Sequence, residues 1–137
     1  MRDNLSYLAG LTDGEGTLNL FSSGSFGERL SRFDIYNTNE KVIDWVVTNF
    51  GGFKRTVRGR KQGYKTCYTW SCPTGLQLEL LTKLLPFLIV KTRQAELVIE
   101  FRKMSKRGRL TKAVKEAQLG RDALIDECRL LNRRGHA

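Results

Sequence analysis

Few side chains in this sequence have chemistry to offer, and the densest group of them lies near its start. In Leu8-Ala9-Gly10-Leu11-Thr12-Asp13-Gly14-Glu15-Gly16 two carboxylates, Asp13 and Glu15, flank a glycine. From this stretch alone the two acids are equal candidates for catalysis. The one histidine, His136, sits at the extreme tail, which argues against histidine-based acid–base chemistry. Cys67, Cys72 and Cys128 form no CxxC pair and no Cys/His quartet, so neither a zinc site nor a disulfide framework is indicated.

The element that must hold the two acids is a short helix. Asp3 or Asn4 is a suitable N-cap, and Leu5, Leu8 and Leu11 recur at threefold spacing, the stripe a helix buries. Ser6, Gly10 and Gly14 recur every four residues on a second face, and small residues at that spacing let two helix backbones approach closely. Glycine within a helix costs about 1 kcal/mol against alanine, so Gly10 implies a packing reason. Gly14 suits the left-handed position that ends a helix, which places Asp13 and Glu15 at the helix end.

The remainder of the chain bounds the partners. With 137 residues and 40% hydrophobic content it can build one core, so a single domain over 1–137 is expected. No run approaches the roughly 20 apolar residues of a membrane span, and the start does not read as a signal peptide. The expected setting is the cytoplasm of a prokaryote or an organelle matrix or stroma, with no secretion and no membrane partner. Twenty-four basic against 14 acidic residues leave a net charge of +10, which favours a polyanion. Lys54, Arg55, Arg58, Arg60, Lys61 and Lys65 follow one another with no acid among them. The basic C-terminal region, 102–137, carries a second such run from Arg102 to Lys115, which either flanks a nucleic-acid backbone or is solvated.

Taken in order, Thr17–Phe21 and Leu30–Tyr36 alternate as strands around a turn, with Phe33 and Ile35 on one face and Arg32 and Asp34 on the other. The polar face, with Asn19, either meets water or reads hydrogen-bonding partners. Asn39 caps a helix to Phe50, ended by Gly51-Gly52. Phe53 to about Arg58 and Tyr64–Cys72 form a second hairpin with a basic tip, the facing of its first strand being open. Leu76–Leu85, a helix from Lys91 or Thr92, and a last helix from Thr111 complete an α+β order, αββαββα(α), with helices over one face of a four-stranded antiparallel sheet.

The nine-residue stretch at the head of this order, with Leu85-Pro86-Phe87-Leu88 followed by Lys91 and Gln94-Ala95, resembles the LAGLIDADG homing endonucleases, specifically those with one motif per chain. The likeness extends to about Phe101. It implies a homodimer whose motif helices, 1–14, pack together through Ser6, Leu8, Ala9, Gly10, Asp13 and Gly14. Each subunit would lay its curved sheet along duplex DNA at a long, pseudo-palindromic site. The resemblance makes Glu15 the metal-binding acid, with the Gly14 carbonyl beside it, and assigns Asp13 a structural role near the helix end. Lys91 matches the basic residue that approaches the active site, and Asn37 the polar residue that positions solvent. Mg²⁺ is the implied cofactor, with Mn²⁺ substituting and Ca²⁺ supporting binding without cleavage. Carboxylate-bound Mg²⁺ activates water and neutralises phosphate charge, and two adjoining Glu15 carboxylates need cations between them. DNA-reading candidates are Asn19, Glu28, Arg32, Asp34, Lys65 and Thr69 by strand parity, with Arg55, Arg58, Arg60 and Lys61 by charge.

The expected function is site-specific double-strand DNA cleavage leaving 3′ overhangs. Two rivals come from other classes: an intron RNA maturase, with intron RNA as partner, and a non-catalytic sequence-specific DNA-binding protein. Glu15 together with Lys91 argues against the latter.

Overall fold

The computed structural model describes residues 3–22, 28–58, 65–104 and 112–133, the side chains of the last segment from 119 onward. Helix α1 (Asn4–Glu15) starts where Asp3 caps it, Oδ1 accepting the Leu5 N–H at 3.1 Å and Oδ2 the Ser6 hydroxyl at 2.7 Å. Its buried residues are Leu8, Ala9 and Thr12, while Leu5 and Leu11 only flank the core. Gly14 does not end the helix in a left-handed conformation. The helix continues through Gly14 to Glu15 and passes into β1 (Gly16–Ser22) at Gly16, at φ −89° and ψ 156°. A Cβ on Gly16 would lie 2.6 Å from the Thr12 carbonyl oxygen, so this abrupt junction requires glycine.

Strand β2 (Arg29–Asn37) pairs antiparallel with β1, placing Leu18 opposite Phe33 and Asn19 opposite Arg32. Helix α2 (Glu40–Phe50) begins at Asn39, whose side chain accepts the Lys41 N–H, and ends at Gly51 and Gly52, both at positive φ. Strands β3 (Phe53–Val57) and β4 (Cys67–Ser71) follow, and β4 pairs with both β2 and β3 to give an open antiparallel sheet of order β1-β2-β4-β3. Helix α3 (Thr74–Leu84) leads through a 3₁₀ turn (Leu85–Phe87) to α4 (Thr92–Lys103), and α5 (Lys112–Arg133) closes the described order.

One sheet face carries Leu18, Leu20, Phe33, Ile35 and Trp70 into a single core with Ile43, Val46, Leu81, Leu84, Val98 and Phe101. Phe33 and Trp70 meet edge to face at 5.1 Å, a contact worth about 0.5–1.5 kcal/mol beyond the area it buries. Trp70 also donates Nε1–H to the Gly51 carbonyl at 2.7 Å. Helix α4 buries Ala95, Leu97, Val98, Ile99 and Phe101. Helix α5 covers the free edge of β1: Ile125 and Cys128 are buried, and Asn132 donates to the Leu18 carbonyl at 3.0 Å. Two bidentate pairs, Arg29 with Asp122 and Arg93 with Glu127, fasten α5 to β2 and α4.

Candidate active site and nucleic-acid face

The two acids of the opening stretch, indistinguishable by type and spacing, are separated by what they touch. Asp13 is committed within the chain. Its Oδ2 accepts the Ile89 N–H at 2.8 Å, and its Oδ1 accepts the N–H groups of Val90 at 3.1 Å and Lys91 at 3.0 Å. These amides lead into α4, where no side chain of the capping residue Lys91 does the work, and a carboxylate also meets the positive end of the helix dipole. Lys91 returns the contact. Its ammonium donates to the Thr12 carbonyl at 3.1 Å and the Gly16 carbonyl at 2.5 Å, a cation on the negative end of α1. The end of α1 and the start of α4 therefore hold one another.

Glu15, the last residue of α1, is exposed, and among the described residues no hydrogen bond or ion pair engages its carboxylate. It is the free acid. An ammonium has three N–H bonds, and Lys91 uses two on backbone carbonyls, so one remains for a group arriving beside Glu15. Burial pushes the Lys91 ammonium below its ordinary range, with Asp13 and Glu15 opposing the shift. Because the folded chain binds that proton less tightly than the unfolded one, Lys91's contribution to stability improves as pH rises from its folded pKa towards 10.5.

Two outcomes test this arrangement. Asp13→Ala leaves three amides without their charged acceptor and should lower stability by about 1.5–3 kcal/mol, read as a fall in urea midpoint at unchanged slope. Asp13→Asn, which keeps one acceptor oxygen, should lose less. Glu15→Gln removes a charge that supports the Lys91 ammonium, so the Lys91 pKa followed by side-chain NMR should fall further in that variant. A rise would show that the two groups do not share a field.

The other sheet face is polar. Register places Thr17, Asp34, Ser71 and Phe53 in one row across all four strands, with Tyr36, Thr69 and Arg55 in the next. This settles the facing of β3: Arg55 lies on the polar face, whereas Lys54 turns to the helix side, bonded to Asp44 at 2.6 Å and near Glu40 at 3.5 Å. Arg32 and Arg55 are exposed on the polar face, and Arg58 and Lys65 are exposed just beyond its strands. Beside β1, Lys91 lines a groove with Thr17, Asn19, Gln94, Arg129 and Arg133, so the cations continue past Glu15 along the sheet edge.

No protein-family model and no curated protein sequence matches this chain. Solved structures do. The homing endonuclease I-CvuI, in complex with its target in the presence of Ca, superposes with a TM-score of 0.68 at 20% identity, over 93% of this chain and 80% of that one. The homing endonuclease I-TnaI superposes with a TM-score of 0.63 at 19% identity, over 97% of this chain and 96% of that one. The LAGLIDADG meganuclease I-AabMI bound to uncleaved DNA gives 0.61 at 18% identity, over 90% of this chain but 44% of that one. The chain has the LAGLIDADG homing endonuclease fold.

Within this fold the expected site residues differ in exposure and engagement. Leu8 and Ala9, assigned to a contact between two copies, are fully buried in the chain's own core, whereas Asp13 of the same set takes the structural place near the helix end also expected of it, engaged with the start of α4. Ser6, Gly10 and Gly14 remain exposed, although the Ser6 hydroxyl serves the helix cap. Asp34 and Thr69 lie on the polar face yet are buried at 4% and 1% exposure, so neither presents a free edge to a ligand. Asp34 instead lies 3.6 Å from the Arg32 guanidinium and accepts from the Tyr36 hydroxyl at 3.4 Å, which holds Arg32 in place. Burial and Asp34 push the Tyr36 phenol up. Asn37 stands at the end of β2, but its Oδ1 accepts the Asn39 N–H at 2.8 Å and supports the start of α2. Asn19 is half-buried, 3.4 Å from Asn132, and Glu28 is exposed ahead of β2. Arg60 and Lys61 lie outside the described residues.

Tyr36, which shares the parity of Arg32 and Asp34, and the carbonyls of Thr12 and Gly16 were not among the expected site residues. No side-chain pattern signals a carbonyl. Of the two facings open to β3, Arg55 with Val57 or Lys54 with Arg58, pairing with β4 selects the first and brings Phe53 to the same face.

Proposed function

We propose that two copies of this chain form a divalent-metal-dependent endonuclease that cuts both strands of duplex DNA at a specific site. The observation that carries this reading is Glu15: a carboxylate with uncommitted oxygens, at the tip of a helix that exposes Gly10 and Gly14, in a fold shared with DNA-bound nucleases. A Cβ on Gly10 or Gly14 would meet nothing within 4 Å in the protomer, so neither glycine is needed inside one chain. At about 1 kcal/mol each against alanine, their explanation lies outside it, in a second α1. One copy of this fold covers 44% of I-AabMI, so a pair is about the size of that protein.

The residues fit a hard cation. Among the described residues no three metal-binding side chains converge, so each copy offers one carboxylate, Glu15, with the last-turn carbonyl of Gly14, both oxygen donors of the kind Mg²⁺ takes. A divalent cation held there would supply acidification of a water and neutralisation of charge at the phosphorus. Lys91 places its remaining N–H and its positive charge beside the same phosphate, and Asp13 fixes the backbone that carries Lys91. Arg32, Arg55, Arg58 and Lys65 neutralise the DNA backbone and give the polar face its register on the duplex.

Sequencing the ends left in a randomised duplex library after incubation with protein and Mg²⁺ tests the reading. It expects one recurrent site cut with 3′ extensions, binding without cutting in Ca²⁺, and affinity falling with salt by a log-log slope of about −0.9 per phosphate neutralised. A library left intact in both Mg²⁺ and Mn²⁺ would overturn it.

A further inference from the structure

The polar sheet face carries two side chains that water does not explain. Phe53 is 67% exposed and Val57 54% exposed, on a strand in which every residue is exposed. Both share the face of Arg55, opposite Ser71, Cys67 and Thr69 respectively, on the far side of the sheet from the core. Neither packs under a helix, and Phe53 completes the row begun by Thr17 and Asp34. An apolar–arginine–apolar sequence on an exposed strand is a poor solvent face, and the cations around it, Arg55, Arg58 and Lys65, with Arg32 farther along the same sheet face, favour a polyanion as its occupant.

Resting on the proposed nuclease function, we propose that Phe53 and Val57 select thymine by covering its C5-methyl group in the major groove, on either side of a guanine read by Arg55. The methyl is the one apolar feature on a major-groove base edge, and guanine offers O6 and N7 to a bidentate arginine. Residues two apart on a strand stand about 6.8 Å apart, close to the rise of two base pairs, so the three side chains address positions spaced by about two pairs. Each half-site therefore carries two thymines about four base pairs apart with a guanine between them. On the helix side of the same strand, Lys54 is held by Asp44 and Glu40, which fixes the strand's rotation and with it the outward aim of the alternate residues.

The test selects bound duplexes from a randomised library in Ca²⁺, then replaces each selected thymine singly with deoxyuridine, which removes only the methyl. Wild-type affinity should fall about fourfold at each of the two thymines, the worth of burying one carbon. Phe53→Ala should become indifferent to the replacement at its thymine and Val57→Ala at the other, while each keeps the other's sensitivity. Both residues are exposed, so neither change disturbs the core. Selective binding with equal deoxyuridine penalties in wild type and variants, or with none, would overturn this inference alone. An absence of duplex binding would overturn it together with the nuclease reading.

Discussion

Gly10→Leu should leave each protomer folded, separate the pair and abolish cleavage. Gly10 is exposed on α1, and a Cβ there meets nothing within 4 Å, so the protomer has room for a larger side chain. Leucine is also the better helix former, by somewhat under 1 kcal/mol, so secondary structure should persist or improve. In a two-fold contact between α1 helices the same change appears twice. Overpacking costs about 1–3 kcal/mol at each occurrence, so association should weaken about 30-fold or more. Light scattering should find the mass of one chain where wild type gives two, with the helical circular dichroism signal retained. An unchanged dimer mass would refute the contact, and a monomeric variant that still cuts both strands would refute the need for it.

The site was legible in the sequence to the extent that side-chain type determines role. Glu15 and Lys91 could be singled out by their match to a motif; Glu15 ends α1, and Lys91 precedes α4 with its ammonium on the Thr12 and Gly16 carbonyls around that helix end. What separates Glu15 from Asp13 was not legible from local sequence, because the three amides that occupy Asp13 lie more than seventy residues away. Alternation along β1 and β2 correctly divided polar from core positions. Parity fixes a face but not a depth, however, and Asp34 and Thr69 share the face of Arg32 while lying buried in it. The stripe expected on α1 is met but incomplete: Leu8 is buried and Leu5 and Leu11 pack part-buried against the core, while Ala9 and Thr12 are buried as well, because the helix packs on neighbours from several directions.

Helix boundaries followed their chemical signals closely. Asn39 and the Gly51-Gly52 pair bracket α2 as expected, since a capping side chain and two positive-φ glycines act locally. Gly14 shows the converse. It carries the residue type of a helix end, yet the stop falls at Gly16, where the chain folds back so closely on Thr12 that no side chain fits. The facing of β3 needed its partner: Arg55 and Lys54 are equally basic, and only pairing with Thr69 and Trp70 distinguishes them.

Strand cleavage by Glu15→Gln, on a duplex that wild type cuts, tests most directly the proposed hold of Glu15 on the catalytic metal. Glutamine preserves size and keeps one oxygen, and because the Glu15 side chain is exposed and unengaged among the described residues, stability and DNA affinity in Ca²⁺ should change little. A metal's stabilisation of the transition state is several kcal/mol, and each 1.36 kcal/mol is tenfold in rate, so cleavage in Mg²⁺ should fall about a thousandfold or more. Single-turnover assays with both strands end-labelled should show wild type cutting both and Glu15→Gln binding but leaving both intact. Cleavage by Glu15→Gln near the wild-type rate would contradict the account.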